Sequence, residues 1–196
     1  KAIRAALPER VLLVVDGAQG AGHLSLRMHE TGIDALALAG HKGLHAIQGA
    51  GALLFSERFN PDPVTFGGTG SESFNLGMPA FYPDKLESGT VSYPAIVSLY
   101  EGALIVKCNR EKHAAQLKKL TAAVYEGLKN LPEYTAYFLP NESGIAAFAH
   151  KRLASEEIAG MLDERAIAVR GGLHCAPLAH KALGTFPAGL VRASFS

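Results

Sequence analysis

The sequence predicts an α/β protein, and three observations support this fold class. Short apolar runs of strand length follow one another near the N-terminus, separated by loops or a short helical pattern. A longer stretch with helical spacing comes next, and strand and helix patterns then resume. With 196 residues, 48% of them hydrophobic, the chain can bury a core in one large domain or two small ones.

Three buried strands are predicted near the N-terminus, over residues 11–15, 34–39 and 51–55. A short helix over 24–31, closed by Gly32, separates the first two. Asp16 directly follows the first strand, and Lys42 follows the second. Since the ligands of α/β sheets gather at strand ends, one site can hold both side chains.

The middle of the chain combines a loop with a helical region. Residues 60–93 are expected to form a loop, and a loop this long is usually functional or disordered. From Pro94 to about residue 130, apolar residues recur at helical spacing, which predicts one long helix or two helices broken near Cys108. We place a domain boundary within this region, which gives domains 1–105 and 106–196.

The remaining residues show shorter patterns. They predict a strand pair over 134–139 and 144–150, a helix over 155–165 capped by Ser155, a strand over 167–170, a loop over 171–184 and a strand over 190–195. No internal repeat is present.

Composition excludes several classes of function. A formal net charge of +1, from 19 basic and 18 acidic residues, gives no electrostatic case for nucleic acid or an acidic membrane as partner. The sequence has no run of about 20 apolar residues, the length needed to span a bilayer. Two cysteines do not make a disulfide framework, so a reducing, cytoplasmic setting is expected.

Lys42, Asp16 and Gln19 are the first candidates for chemistry. A lysine partly desolvated at a strand end can form a Schiff base, although an ordinary solvated lysine is the alternative. Asp16 can be a turn residue or can pair with a pyridinium nitrogen, and with Lys42 it would make the pair that pyridoxal-phosphate (PLP) chemistry requires. Gln19 can bond a cofactor ring or be an exposed amide.

Two further features could bind an anion. His41, beside Lys42, can donate to a phosphate or be structural. The segment Gly67-Gly68-Thr69-Gly70 offers backbone N–H groups, but it lacks the Gly-Lys-Ser/Thr ending of a P-loop and can be an ordinary turn.

Cys175 is the candidate nucleophile of the C-terminal part. Glycines precede it, Pro177 follows it, and Arg170 and His174 are near, a setting that favours a reactive thiolate over a loop cysteine without a role. A zinc site of His174, Cys175 and His180 is another reading, although its spacing fits no standard structural site. Arg192 lies within a predicted strand and, if buried, needs a carboxylate from protein or substrate.

Taken in order, these motifs resemble the class V aminotransferase family, and within it cysteine desulfurases and selenocysteine lyases. They are Asp16-Gly17-Ala18-Gln19, Gly40-His41-Lys42, Gly67-Gly68-Thr69-Gly70-Ser71, Glu87-Ser88-Gly89-Thr90, Arg170-Gly171-Gly172-Leu173-His174-Cys175-Ala176-Pro177-Leu178 and Val191-Arg192-Ala193-Ser194. The resemblance covers essentially the whole chain.

The resemblance implies PLP fold type I, with part of a large mixed-sheet α/β domain followed by a small C-terminal α/β domain. It implies that Lys42 holds PLP, that Asp16 pairs with the pyridine nitrogen, that Gln19 contacts the ring oxygen and that His41 reaches the phosphate. Ala39 departs from the family, which often has Ser or Thr there as a phosphate contact.

The same resemblance implies a homodimer, in which Thr90, with Gly67 and Gly68, reaches the neighbouring subunit's cofactor. Arg192 is expected to bind the substrate carboxylate, with Arg170 close to the site.

The implied activity converts L-cysteine to alanine and leaves a persulfide on Cys175, carried on a mobile loop. A sulfur-acceptor protein and a role in iron–sulfur cluster assembly go with it. The alternatives are a selenocysteine lyase acting on selenocysteine, another class V enzyme, and a catalytically inactive dimerising fragment. The last stays open because the family's N-terminal half has no counterpart in these residues.

Overall fold

The computed structural model describes all 196 residues, which divide into two compact units, Lys1–Cys108 and Asn109–Ser196. The division falls inside a helix of 37 residues, Tyr93–Lys129. Our predicted boundary, near residue 105, lies in the same helix. None of the helices combines the length and apolarity that crossing a bilayer requires.

The first unit contains a three-stranded mixed sheet of order β1-β2-β3. Its elements are α1 (Ala2–Ala6), β1 (Val14–Asp16), α2 (Met28–Thr31), β2 (Ala35–Ala39) and β3 (Gly51–Phe55), followed by the start of α3 (Tyr93–Lys129). β1 and β2 are parallel, with Asp16 opposite Ala37. β3 runs antiparallel to β2, with Gly51 opposite Ala39. The mixed α/β class is therefore confirmed for this unit.

The predicted strands of this unit form, but their predicted burial is wrong for two of the three. β2 and β3 match the expected runs closely in extent. The run 11–15 becomes the short strand β1, and its Val14 is 55% exposed. In β3, Leu53 and Leu54 are 40% and 47% exposed. β1 and β3 are the outer strands, each paired with β2 alone, and an apolar run predicts a strand without indicating what covers its faces.

Two other N-terminal predictions are partly correct. The helix expected over 24–31 is only the single turn α2, because the residues before Met28 form successive turns. Gly32 does close it, in the left-handed conformation with φ 70°. No helix or strand occurs between Phe55 and Tyr93, which confirms the long loop. The helical region that follows is one continuous helix, α3.

The second unit packs helices against an antiparallel sheet of order β4-β5-β6. Besides the end of α3, its elements are β4 (Tyr134–Ala136), β5 (Ile145–His150), α4 (Ser155–Asp163), α5 (Pro177–Leu183) and β6 (Val191–Ser194). Phe148 of β5, Ile158 of α4 and Val191 of β6 form its buried core. Val191 is fully buried, so its side chain lies where helix and sheet meet.

Three predictions for this unit are wrong. Residues 167–170 are not a strand, because only Arg170 pairs, in an isolated bridge with Arg192. The expected loop 171–184 contains α5, which starts at Pro177 as prolines in a first turn do. Ser155 does not cap α4. It is the first helical residue, and its hydroxyl bonds the chain leading to β6 instead.

Candidate active site

Asp16 and Lys42 belong to segments that leave the same edge of the first sheet. Because β1 and β2 are parallel, their C-terminal ends lie side by side, with Asp16 ending β1. Lys42 lies in the connection 40–50 between β2 and β3 and is half-buried. The connection is closed at its base by Gly40 N–H, which donates to the Ala50 carbonyl at 3.0 Å.

Two glycines let these segments touch backbone to backbone. A Cβ placed on Gly22 would overlap the carbonyl of Gly43, and a Cβ on Gly43 would overlap the carbonyl of Ala21. Gly22 also has φ of 88°, which disfavours any other residue. The contact fixes the Asp16 segment against the Lys42 segment.

The polar groups at this edge are accessible. Asp16 accepts a hydrogen bond from the Ala18 N–H at 2.9 Å, which fixes the turn after β1. The side chains of Asp16, Gln19 and His41 are exposed. An amine and a carboxylate therefore lie on adjoining segments with access from outside this unit.

Within the long loop, the segment of Gly67 and Gly68 lies against that of Ser88 and Gly89. Gly89 N–H donates to the Gly68 carbonyl at 2.8 Å, and a Cβ on Gly67 would lie 3.2 Å from that of Ser88. The bond brings the segment of Gly67 and Gly68 against the segment of the exposed Thr90. No atom lies within 4 Å of where a Cβ of Gly68 would be, so its backbone is open to an incoming group.

The second unit brings together Arg170, Cys175 and Arg192. Arg170 and Arg192 exchange backbone hydrogen bonds of 3.0 and 2.8 Å. The Nη2 of Arg170 lies 3.9 Å from Sγ of Cys175, whose side chain is exposed. The Nε of Arg192 is buried and has no hydrogen-bond partner. A buried guanidinium N–H without an acceptor suits an anionic ligand.

His174, next to the cysteine, makes a hydrogen bond that its sequence neighbours do not predict. Its Nε2 bonds the Leu190 carbonyl at 3.0 Å, while its Nδ1 is buried without a partner. Burial is the main cause that lowers the pKa of His174. The Leu190 hydrogen bond opposes this effect, and the positive charges of Arg192 and Arg170 add to it.

The zinc alternative is not supported by the geometry. His180 is only 4% exposed, and its Nδ1 bonds Thr185 Oγ1 at 2.8 Å. Its ring centroid lies 6.0 Å from that of His174. No three His, Cys, Asp or Glu side chains are grouped to hold a metal ion.

Sequence reasoning missed the role of Ser155. Its buried hydroxyl donates to the Ala188 carbonyl at 2.7 Å and accepts from Gly172 N–H at 3.0 Å. It thereby fastens the segment that leads to Cys175 onto α4. The serine at a helix start was the available signal, and we assigned it to capping.

A mixed-sheet α/β unit followed by a smaller α/β unit is the architecture of PLP fold type I, the fold of the solved cysteine desulfurases that the chain resembles. The model of the aminotransferase class-V family matches residues 1–196, and the chain belongs to that family.

Similar proteins include one named "probable cysteine desulfurase" from Pyrococcus abyssi, which is 34% identical over 197 residues, covering 95% of this chain and 48% of the relative. Among solved structures, the apo cysteine desulfurase of Thermococcus onnurineus NA1 superposes with a TM-score of 0.76 at 32% identity, over 95% of this chain and 48% of that one. The Escherichia coli cysteine desulfurase CsdA gives 0.76 at 27% identity, over 95% and 47%. The chain thus spans about half the length of these relatives.

Proposed function

We propose that this chain is part of a PLP-dependent cysteine desulfurase, with Lys42 as the cofactor-bearing lysine and Cys175 as the sulfur acceptor. The observation that carries the proposal is the exposed Cys175 thiol, 3.9 Å from the Arg170 guanidinium, in a chain of this family. An aminotransferase needs no acceptor thiol. The names of the similar proteins support the same reaction class.

The residues of the first unit fit PLP by the chemistry of their groups. Lys42 supplies an amine and Asp16 a carboxylate on segments that pack together through Gly22 and Gly43. Lys42 would hold the cofactor, Asp16 would pair with its pyridine nitrogen, and Gln19 and His41 would contact ring oxygen and phosphate. The proposal makes no use of Ala39, whose methyl group offers no hydrogen bond.

In the second unit, Arg192 would bind the substrate carboxylate. Its buried Nε lacks an acceptor, which a carboxylate would supply. Arg170 would act beside it on the Cys175 sulfur.

The proposed reaction needs no outside oxidant or reductant. PLP, when bound, withdraws electrons from the Cα of the amino acid. The Lys42 amine takes the Cα proton. The Cys175 thiolate attacks the cysteine sulfur, so that an S–S bond forms and the Cβ–S bond breaks. The electron pair of that bond stays on carbon, where protonation gives alanine, while Cys175 becomes a persulfide.

The wider setting belongs to the same proposal. Thr90, Gly67 and Gly68 form one exposed patch that could approach a neighbouring subunit's cofactor, so we propose a homodimer. The exposed position of Cys175 suits transfer of the persulfide sulfur to an acceptor protein. The transferred sulfur would be used for iron–sulfur cluster assembly in the cytoplasm.

The test is alanine release from L-cysteine with PLP present, together with mass spectrometry of the Cys175 peptide. Cys175→Ser should abolish the persulfide and lower alanine release by about a hundredfold or more, because a nucleophile is lost. Cys108→Ser is the matched control, since Cys108 is also exposed but lies in α3.

Full sulfide release by Cys175→Ser would reject the desulfurase assignment. Turnover of L-selenocysteine by Cys175→Ser, compared with that of L-cysteine, would then identify a selenocysteine lyase that needs no protein thiol. PLP binding without any turnover by the unaltered chain would favour the catalytically inactive fragment.

A further inference from the structure

The segment that carries Cys175 is tied down at its base and at its tip. At the base, Leu190 N–H donates to the Gly172 carbonyl at 3.0 Å, and Gly172 N–H donates to Ser155 Oγ at 3.0 Å. At the tip, the ring of His174 bonds the Leu190 carbonyl at 3.0 Å. Both backbone groups of Leu190, just before β6, therefore hold this segment.

The backbone at the tip requires such support. His174 and Cys175 have φ of 50° and 62°, in the left-handed region that only glycine enters freely. Two adjacent residues in this conformation persist only where surrounding contacts hold them. Cys175 is exposed and has little packing of its own, so the His174 ring supplies the contact on its N-terminal side.

The hydrogen bond also assigns the tautomer of the ring. Because a carbonyl only accepts, Nε2 of His174 carries the hydrogen, and Nδ1 of the neutral ring has a free lone pair. Arg170, Arg192 and His180 are the cationic or titratable groups that act on the ring, and with burial they oppose its protonation. Both effects lower the pKa of His174 and so favour the neutral ring as an Nε2–H donor.

We propose that His174 is a positioning residue for Cys175. Its imidazole, anchored on the Leu190 carbonyl, holds the two left-handed residues and so keeps the thiol beside Arg170. The catalytic consequence rests on the proposed function, whereas the anchoring can be measured without cofactor or substrate.

The experiment compares His174→Gln with His174→Asn by amide hydrogen exchange. The glutamine amide nitrogen can reach the Leu190 carbonyl in place of Nε2, whereas asparagine tolerates the left-handed backbone but is too short. The reporter is the Ala176 N–H, which donates to the Leu173 carbonyl at 2.9 Å within the segment. Its exchange should be roughly fivefold faster or more in His174→Asn, as loss of one hydrogen bond predicts, and near the unaltered rate in His174→Gln.

His150→Asn is the matched control. The His150 ring also bonds backbone, accepting from the Arg152 and Leu153 N–H groups, but in a different turn of the same unit. The Ala176 exchange rate should not change in this variant. Amides of α3 near the buried Leu117 and Thr121 give an internal reference that shows each variant is folded.

A second arm measures turnover of L-cysteine in the PLP-loaded protein. kcat should fall in His174→Asn and recover in His174→Gln, with KM unchanged, because the thiol and not the substrate is displaced. The proposal would be overturned if the Ala176 N–H exchanged at the unaltered rate in His174→Asn. It would also be overturned if this N–H exchanged faster in His174→Gln but not in His174→Asn, since a simple backbone preference for asparagine would then explain the result. If the exchange rates follow the expected pattern but no protein turns over L-cysteine, the anchoring is upheld and the catalytically inactive fragment is favoured instead.

Discussion

Cys175 and Lys42 are held in different ways. Lys42 lies in a connection whose shape is set by glycines and by backbone hydrogen bonds, so its environment depends on close backbone contacts. Cys175 depends on a side chain, the ring of His174, and on two residues with unfavourable backbone angles. The cysteine segment is therefore the more sensitive of the two to single substitutions and to pH.

The pH dependence follows from the lowered pKa of His174. An unfolded histidine titrates near 6.5, and burial moves the folded group below that value. At pH values between these two pKa values, the unfolded chain binds more protons than the folded one. The contribution of His174 to folding stability is therefore lost as the pH falls below about 6.5. Urea unfolding at pH 7.5 and 5.5 should show a smaller loss in His174→Gln than in the unaltered protein. Equal losses in the two proteins would contradict this prediction.

Individual residues were the least predictable level of the structure. Residue types alone left ordinary readings open for Asp16, Lys42, Cys175 and Arg192, and it was the resemblance of the ordered motifs to the class V family that implied their roles. The sequence did not indicate that Ser155 would bond Gly172 rather than cap a helix, since both uses require the same hydroxyl at the same place.

Among the elements, α3 determines the position of the Lys42 connection. Its Ser98 Oγ accepts from the Ile47 N–H at 2.9 Å. Its Gly102 is buried against the Leu44 carbonyl, where a Cβ would overlap the oxygen. The helix was predicted from its apolar spacing, but this contact was not, because a glycine within a helix gives no sign of what approaches it.

The two glycines of α3 make a matched test. Gly102→Ala should lower the free energy of unfolding by roughly 1–3 kcal/mol through overpacking against Leu44. Gly127→Ala, at an exposed site with no atom within 4 Å, should raise it by about 0.5–1 kcal/mol through helix propensity. Urea titrations followed by circular dichroism measure both. Stabilisation by Gly102→Ala would show that α3 does not press on the connection.

The edge strand β1 shows where element prediction fails. Its β-branched composition predicted burial, yet burial depends on the elements that cover a strand's faces, which its own residues do not specify. The 167–170 run failed for the same reason, as it packs Val169 on the core but finds only one pairing residue. Patterns of apolar residues indicate a face that can be covered, and tertiary contacts decide what covers it.

On the scale of the whole molecule, each compact unit carries a separate part of the proposed chemistry. Lys42 and Asp16 belong to Lys1–Cys108, and Cys175 and Arg192 belong to Asn109–Ser196. The chain spans about half the length of the relatives it matches. Reaction of PLP with Lys42 tests whether the residues of this chain bind the cofactor by themselves.

The chain, mixed with PLP and reduced with borohydride, should carry a phosphopyridoxyl group on the peptide containing Lys42. Adjoining amine and carboxylate favour that lysine over those that are merely exposed. Lys42→Ala should remove the adduct, whereas Lys107→Ala, an exposed lysine of α3, should leave it unchanged. Asp16→Asn should keep the site but reduce its occupancy, because the partner of the pyridine nitrogen loses its charge. Labelling spread evenly over the lysines would show that the described residues do not form a PLP site by themselves.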